Sequence, residues 1–549
     1  MRDYFRLALR NVTNHGDTDI FPYPVENRIF HDEEDRVLDL LETYHANFQN
    51  YLAQYPPAHV SAQAPVSYTG FRWANQLDPI WNLYFLGCVL SVGAEIENAR
   101  LPVAANKIFS YRYSPDQNTT SLFNRDLGWV QFIERSAALA ENYSHVVVCD
   151  ISEFYPRLGH HRLENALLQL NAGEDIPRKI MRFLNQFSGT RSFGLPIGGP
   201  AARLLSELTL NQIDRLLNVQ GIEFVRFADD YHLFANSQED AYTALIVLSE
   251  KLFDNQGLSL QKSKTRILTA AEFLSTSPIR FAGDQDAAGA ENPAGADQDE
   301  DVQQRQDHAR QFMRFSVRFD PYSPTAADDY EALKREITRF DIIGMLGSEL
   351  TKSRIHTALS RRVLRAIRFL DPRVRDDAII SIINNHDLLF PIFSTVLMVI
   401  HDLFDDMDAP AKNRVIARIR ELINAESHVF KVDMHLAFAI RILSKEHTQE
   451  NENLLQRIYL QRTATMVRRD IILTMAHWGV AYWLSDLRNR FRELSEAEKR
   501  AFIIASFILR DEGEHWRRAL RREFSPFEIL IGEWTSRRLQ ENPNWRVPV

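Results

Sequence analysis

Two adjacent carboxylates, Asp229 and Asp230, lie between two short apolar runs in the segment EFVRFADDYHLFAN (residues 223–236). Phe, Val and Tyr favour strands, and a short polar break between such runs predicts a β-hairpin with both carboxylates at its tip. Asp is a common turn residue, so one interpretation is an ordinary polar turn. The other is a metal site, because Mg²⁺ prefers carboxylate oxygens together with phosphates of a substrate.

A third carboxylate, Asp150, ends the run HVVVCD (145–150), whose β-branched residues predict a strand buried on both faces. Between it and the hairpin, GLPIGGP (194–200) is the densest Gly/Pro cluster of the chain and leads into a helical pattern at 201–217. A Gly-rich turn at a helix N-terminus can accept a base, sugar or phosphate against its backbone. The three segments together favour a metal-dependent nucleotide site over a polar turn.

Four cations flank these segments. Lys107 and Arg112 lie in KIFSYRY (107–113), which alternates as a strand does, and Lys262 and Lys264 lie in the strand-like LSLQKSKTRIL (258–268). Each is a candidate phosphate ligand, although a surface charge is the ordinary alternative.

The composition limits the remaining function classes. A chain of 549 residues predicts two to four domains. Its 45% hydrophobic and 25% charged residues are typical of a soluble globular protein. Two cysteines exclude a disulfide framework or a Cys-based zinc site, and neither a signal peptide nor a membrane span is predicted, so we expect a cytoplasmic protein. The net charge of −9 requires any nucleic-acid binding to use local basic patches.

Residues 330–549 are helical by pattern almost throughout, and helix pairs of about 40 residues would build a HEAT-like solenoid. Arg361, Arg365 and Arg368 follow helical spacing opposite an apolar face. This stripe is either a solvated face or a nucleic-acid groove. Residues 283–310 are acidic and poor in large apolar side chains, which predicts a disordered insertion or linker.

In chain order, the segments resemble the palm of reverse transcriptases over about residues 70–275. Asp150 with ISEFY looks like motif A, GLPIGGP like motif B, RFADD like the motif C hairpin, and LQKSKT like motif D. Ile197 stands where many of these enzymes carry Gln, and Phe227 stands where Tyr is common. Ile197 and the long helical region resemble the bacterial, defence-associated (Abi-type) reverse transcriptases.

The resemblance implies roles for residues of this chain. Asp150, Asp229 and Asp230 would be the catalytic carboxylates and, with the main-chain carbonyl of Ile151, would bind Mg²⁺, with Mn²⁺ as the alternative metal. Tyr155 would lie under the sugar and exclude a 2′-hydroxyl, so deoxynucleotides are the expected substrates.

The remaining implied contacts concern the nucleotide and the nucleic acid. Lys107 and Arg112 would hold the triphosphate, Gly198 would contact the nucleotide, and Lys264 or Lys262 would assist the leaving pyrophosphate. The stripe of Arg361, Arg365 and Arg368 would bind nucleic acid.

The implied fold class is α+β: a reverse-transcriptase fingers and palm with a C-terminal all-α HEAT-like domain. The predicted domains are an N-terminal helical extension of the fingers (1–66), fingers and palm (67–282), the acidic linker (283–310) and the helical repeat (311–549).

The implied function is dNTP polymerisation in anti-phage defence. It is either templated by a noncoding RNA or untemplated and primed on a protein hydroxyl, with Tyr459 and Tyr482 as candidate primers. A homo-oligomer is compatible with this function. The alternatives are a retron- or intron-type enzyme of a mobile element and an idle RNA-binding scaffold.

Overall fold

A computed structural model describes residues 1–18, 20–170, 173–276 and 339–549, with residues 312, 333–335 and 337. The chain divides into two compact units. The first comprises Met1–Ser61, Trp73–Ser275 and Ser485–Arg546, and the second comprises Ala62–Arg72, Thr276–Leu484 and Val547–Val549. The predicted acidic linker at 283–310 lies outside the described residues. The other predicted boundaries stay predictions, and residues 485–546 group with the first unit.

Helices of the first unit precede, surround and follow a small sheet. Before and within the sheet region they are α1 Arg2–His15, α2 Glu26–Asp32, α3 Glu34–Ala46, α4 Phe48–Gln54, α5 Pro79–Leu90, α6 Gly93–Ala99, α7 Trp129–Ala140, α8 Phe154–Arg157, α9 His160–Leu168, α10 Asp175–Ser188, α11 Pro200–Val219, α12 Gln238–Gln256 and α13 Ala270–Thr276. Its C-terminal helices are Glu496–Ala505, Arg510–Leu520 and Pro526–Glu541. The strands among the described residues are β1 Val60–Pro65, β2 Phe71–Gln76, β3 His145–Asp150, β4 Glu223–Phe227, β5 Asp230–Ala235 and β6 Arg266–Thr269.

The described part of the chain forms a four-stranded sheet in the order β4-β5-β3-β6, in which all pairs are antiparallel. The predicted hairpin is confirmed as β4 and β5. The predicted buried strand is confirmed as β3, because Val146 and Val147, which point to opposite faces, are both fully buried. The mixture of this sheet with surrounding helices confirms the α+β class.

Two strand predictions are wrong. Residues 107–113 form only isolated bridges, at Ile108 and Tyr113, because Tyr111 between them adopts φ +43° and interrupts the extended backbone. In 258–268 only the end is a strand, since β6 begins at Arg266; Lys262 and Lys264 lie on the turn before it.

Residues from the C-terminal helices of the first unit pack on its N-terminal helices. Arg500 is buried and pairs with Glu26 and Asp78 at 2.8 Å each. Phe527 stacks on Phe30 with ring centres 5.9 Å apart. These contacts make the C-terminal helices of the first unit part of the same core as its N-terminal helices.

Apart from Ala62–Arg72, which carries most of β1 and the start of β2, the second unit is helical in its described part. Its helices are Ile342–Leu350, Thr357–Ala366, Pro372–Asn384, Phe393–Leu403, Ala409–Asn424, Asp433–Leu443, Gln449–Gln461, Thr465–Trp478 and Ala481–Arg488, the last of which runs on into the first unit. Apolar side chains such as Val363, Leu364 and Ile367 are fully buried, as their spacing predicts. The HEAT-like repeat stays a prediction.

Among the described residues, no single helix has the length and apolar composition needed to cross a membrane. The bent pair Pro79–Leu90 and Gly93–Ala105 meets that requirement only when both parts are taken together, by length and composition alone.

Candidate active site

The turn between β4 and β5 presents Asp229 and Asp230. Its first residue, Ala228, is buried and adopts a left-handed conformation with φ +53°. A non-glycine residue in this region costs of order 1 kcal/mol, so surrounding contacts must hold it. Local sequence forms the two strands, and tertiary contacts stabilise the strained turn.

The sheet register brings the third carboxylate to the same turn. In the antiparallel pairing of β3 with β5, Asp150 is the direct partner of Asp230. The amide of Ile151 donates to the Asp229 carbonyl at 3.0 Å, which ties the end of β3 to the turn. The three predicted catalytic carboxylates therefore lie together, as does Ile151, the predicted main-chain ligand.

Burial and neighbouring negative charge dominate the electrostatics of Asp230. Burial, together with the charges of Asp229 and Asp150, raises the pKa of Asp230 to about 7. Lys264 offsets part of the repulsion, since its ammonium group donates to the Asp150 carboxylate at 2.6 Å. Burial alone would lower the pKa of Lys264, but its hydrogen bond and charge interaction with Asp150 raise it overall.

The donor set suits a hard divalent cation. Three carboxylates with one lysine leave excess negative charge in a partly buried place, and oxygen donors of this kind match Mg²⁺. Within the described ranges, no three His, Cys, Asp or Glu side chains already have the geometry of a metal site. Lys264 forms an ion pair with Asp150 in this structure, so this ion pair must rearrange before Asp150 can bind a cation. The residues fit the metal by donor type.

Tyr155 lies beside this cluster in a half-buried position. Its carbonyl accepts the amide of Leu195 at 2.9 Å, which attaches the Gly/Pro loop to the segment after β3. Its hydroxyl interacts with those of Ser206 and Tyr111, and burial raises its pKa well above the usual value. Asp229 is close enough to contribute to this shift, so the predicted sugar-contacting ring adjoins the carboxylates.

Gly198 lies in the turn that leads into α11 and has φ +120°, a conformation that side-chain-bearing residues rarely adopt. The backbone therefore requires glycine at this position. Its predicted nucleotide contact stays a prediction.

The two cations of the 107–113 segment have protein partners. Lys107 pairs with Glu223 at 3.0 Å and lies over the Phe224 ring. Arg112 is buried, pairs with Glu97 at 3.0 Å and donates to the Leu101 carbonyl. A triphosphate contact by either residue would require these interactions to open.

The other predicted ligands divide between the units. Lys262 is exposed on the turn that carries Lys264. Arg361, Arg365 and Arg368 belong to the second unit; the first two are exposed, and Arg368 lies 3.7 Å from Asp402. The predicted helix is confirmed for Arg361 and Arg365, which lie on Thr357–Ala366, whereas Arg368 lies on the 3-10 turn Ile367–Phe369 that follows. The nucleic-acid contact of the stripe stays a prediction.

Residues that the sequence reasoning missed lie on or against α11. Arg203 lies over the Tyr111 ring, 5.2 Å from its centre, and interacts electrostatically with Tyr155. Arg226, within the motif C segment itself, is fully buried between Glu207 and Asp214 of α11. The sequence signal for Arg226 was its position inside an otherwise apolar strand, because an arginine that is buried there requires carboxylate partners.

Comparisons with known proteins agree with this geometry. Residues 97–286 match the sequence profile of the family described as reverse transcriptase (RNA-dependent DNA polymerase). No curated protein matches the chain.

Solved structures with detectable similarity include two telomerases. One is from Candida albicans in complex with the TWJ fragment of telomeric RNA, at 11% identity, with 76% of this chain and 70% of that chain covered and a TM-score of 0.27. The other is apo telomerase from Candida tropicalis, at 9% identity, with 67% and 66% covered and a TM-score of 0.28. The residues matched to the reverse transcriptase family, 97–286, contain the carboxylate cluster and the loop before α11.

Proposed function

We propose that the protein is an RNA-directed DNA polymerase that adds dNTPs at the cluster of Asp150, Asp229 and Asp230. The observation that carries the proposal is the pairing of Asp150 with Asp230 across β3 and β5, beside Asp229, within the matched domain. Phosphoryl transfer needs positioning and neutralisation of developing negative charge, which a two-metal carboxylate site supplies.

The carboxylates and Lys264 would have separate roles in the reaction. Asp150 and Asp229, with Asp230 and the Ile151 carbonyl, would hold Mg²⁺ or Mn²⁺. Bound metal supplies charge neutralisation at the attacking and leaving oxygens. Lys264, whose ammonium group lies 2.6 Å from the Asp150 carboxylate, would exchange that carboxylate for the leaving pyrophosphate.

Nucleotide selection would depend on Tyr155. Its backbone is held by the Gly/Pro loop and its hydroxyl by Ser206, so the ring has little freedom to move away from a 2′-hydroxyl. We therefore propose deoxynucleotides as substrates, with Gly198 letting the loop backbone approach the nucleotide.

The test is dNTP incorporation by the purified protein, with and without an added primed RNA template. Asp229→Ala and Asp230→Ala should abolish incorporation, whereas Asp254→Ala, an exposed acid at the end of α12, should retain it. Incorporation by both hairpin variants at the wild-type rate would show that the site is assigned wrongly.

We further propose a cytoplasmic role in anti-phage defence. This is supported by Ile197 in motif B and by the helical second unit, both of which resemble the Abi-type enzymes. In that role the stripe of Arg361, Arg365 and Arg368 would guide RNA or product DNA, and the protein would act alone or as a homo-oligomer. Plaque assays on cells expressing the wild-type protein and Asp229→Ala test this; equal phage titres would contradict it.

Sequencing DNA that copurifies with the protein distinguishes the modes of synthesis. A defined cDNA would indicate a noncoding RNA template. A homopolymer or random DNA bonded to the protein would indicate untemplated, protein-primed synthesis, for which Tyr459 and Tyr482 are candidates. Long copies of an element's own RNA would favour a mobile-element enzyme instead.

A further inference from the structure

We infer that Arg226 is a positioning residue of the proposed polymerase site: it fixes the turn that presents Asp229 and Asp230 by joining this turn to α11. The inference rests on the proposed function, because it concerns the same carboxylates.

The turn has a specific need for such a residue. Ala228 holds φ +53°, which a residue with a Cβ adopts only when neighbouring groups impose it. Arg226 Nη1 donates to the Ala228 carbonyl at 2.8 Å, and the next carbonyl, that of Asp229, accepts from the Ile151 amide at 3.0 Å. Two successive carbonyl groups at the tip of the hairpin are therefore fixed by hydrogen bonds. Arg226, which is anchored on α11, holds the carbonyl of Ala228, and the residue after β3, Ile151, holds that of Asp229.

Two carboxylates of α11 anchor the guanidinium group. Nε of Arg226 lies 2.9 Å from Asp214 Oδ1, and Nη2 lies 2.6 Å from Asp214 Oδ2 and 2.8 Å from Glu207 Oε2. Glu207 and Arg226 are fully buried, and Asp214 is nearly so. All three nitrogens of the group are engaged, so its orientation toward Ala228 is determined by the helix.

A further layer holds the anchoring carboxylates. Glu207 accepts from Arg100 Nη2 at 2.5 Å and from the Ser110 hydroxyl at 2.6 Å, and Asp214 accepts from the Tyr231 hydroxyl at 3.0 Å. The carboxylates therefore cannot follow the guanidinium group if it shifts. The position of the motif C turn therefore depends on how α11, the helix that follows the Gly/Pro loop, packs in the unit.

Lysine cannot replace Arg226 in this arrangement. An ammonium group is a point charge on a flexible stem, whereas the planar fork of arginine contacts two carboxylates and the Ala228 carbonyl at once. Arg226→Lys keeps the buried positive charge but loses the fork. Residues that orient metal-binding groups from the outer layer commonly change metal affinity or activity by about 10- to 100-fold, and we expect a loss within this range.

The experiment compares wild-type protein, Arg226→Lys, Asp214→Asn and Arg500→Lys. Asp214→Asn is isosteric and weakens the anchor from α11, including its contacts with Arg226 and the Tyr231 hydroxyl, while the sequence of the hairpin stays unchanged. Arg500→Lys is the matched control, because Arg500 is a buried arginine of the same unit that pairs with two carboxylates, Glu26 and Asp78, neither of which belongs to the hairpin or to α11. The measurements are Mn²⁺ affinity of the metal-stripped protein by electron paramagnetic resonance, kcat and KM for dNTP incorporation, and the folded fraction by circular dichroism.

We expect Arg226→Lys to weaken Mn²⁺ binding and lower kcat with a smaller change in KM, Asp214→Asn to do so to a lesser degree, and Arg500→Lys to change neither in the folded protein. Unchanged Mn²⁺ affinity and kcat in folded Arg226→Lys would overturn the inference and leave the proposed function intact. If Arg226→Lys does not fold, unchanged values in Asp214→Asn overturn it. A wild-type protein that neither binds Mn²⁺ nor incorporates dNTPs would overturn the proposed function and this inference with it.

Discussion

The ionised Asp230 carboxylate destabilises the metal-free protein, so Asp230→Asn should stabilise the fold while it abolishes polymerisation. Burial, and then repulsion from Asp229 and Asp150, raises the pKa of Asp230 from 3.8 to about 7. At roughly 1.4 kcal/mol per pH unit, this difference corresponds to at most about 4 kcal/mol of unfolding free energy above pH 7. Asn has nearly the same shape but no charge, so it removes this cost.

The sign of the pH dependence follows from proton binding. The native state keeps the Asp230 proton up to about pH 7, whereas the unfolded chain releases it near pH 4. Between these values the native state binds more protons, so this group's contribution to the unfolding free energy decreases as pH rises. The stability gain of Asp230→Asn should therefore be small near pH 4, increase through pH 5 and 6, and level off above pH 7.

Urea unfolding in the presence of EDTA, from pH 4 to pH 8, measures this difference directly. Asp254→Asn is the control for the loss of one carboxylate charge, because Asp254 is exposed and lies outside the cluster. Adding Mg²⁺ at pH 8 should stabilise the wild-type protein more than Asp230→Asn, because binding to the native state adds to its stability. A stability gain independent of pH, or a loss at pH 8, would refute the reasoning.

Three further predictions concern other parts of the chain. Tyr155→Ala should lower the preference for dNTPs over rNTPs by about 10- to 100-fold, the range of steric discrimination by a pocket. Competition assays with both nucleotides measure this preference, and an unchanged ratio of dNTP to rNTP incorporation would exclude Tyr155 as the sugar-contacting residue. Arg500→Met should destabilise the first unit by about 3–5 kcal/mol, because it leaves the Asp78 carboxylate buried without its arginine. Chemical denaturation measures this loss of unfolding free energy, and Arg510→Met, at the exposed start of a neighbouring helix, is the control. His435 is fully buried, which lowers its pKa to about 4, so the stability of the second unit should fall as pH decreases from about 6.5 to about 4, by at most about 3 kcal/mol; His435→Gln should flatten this dependence in acid unfolding curves.

The chemistry of the candidate site could be predicted from the sequence because its signals are local. A β-branched run ending in Asp150, a Gly/Pro cluster before a helix, and two apolar runs around Asp229 and Asp230 each specify their own backbone. Their order along the chain then indicated a polymerase palm. Where a local signal was misleading, as in 107–113, a single left-handed residue, Tyr111, was responsible.

Only the tertiary structure decided which charges meet. The pairing of Asp150 with Asp230 depends on strand register, and the attachment of Lys264 to Asp150 depends on the turn before β6. Arg226 and Arg500 have partners on other elements, and no local pattern specifies such long-range pairs. Burial is the physical reason: a charge removed from water must be paired, but its partner is selected by the packing of the whole unit rather than by neighbouring residues.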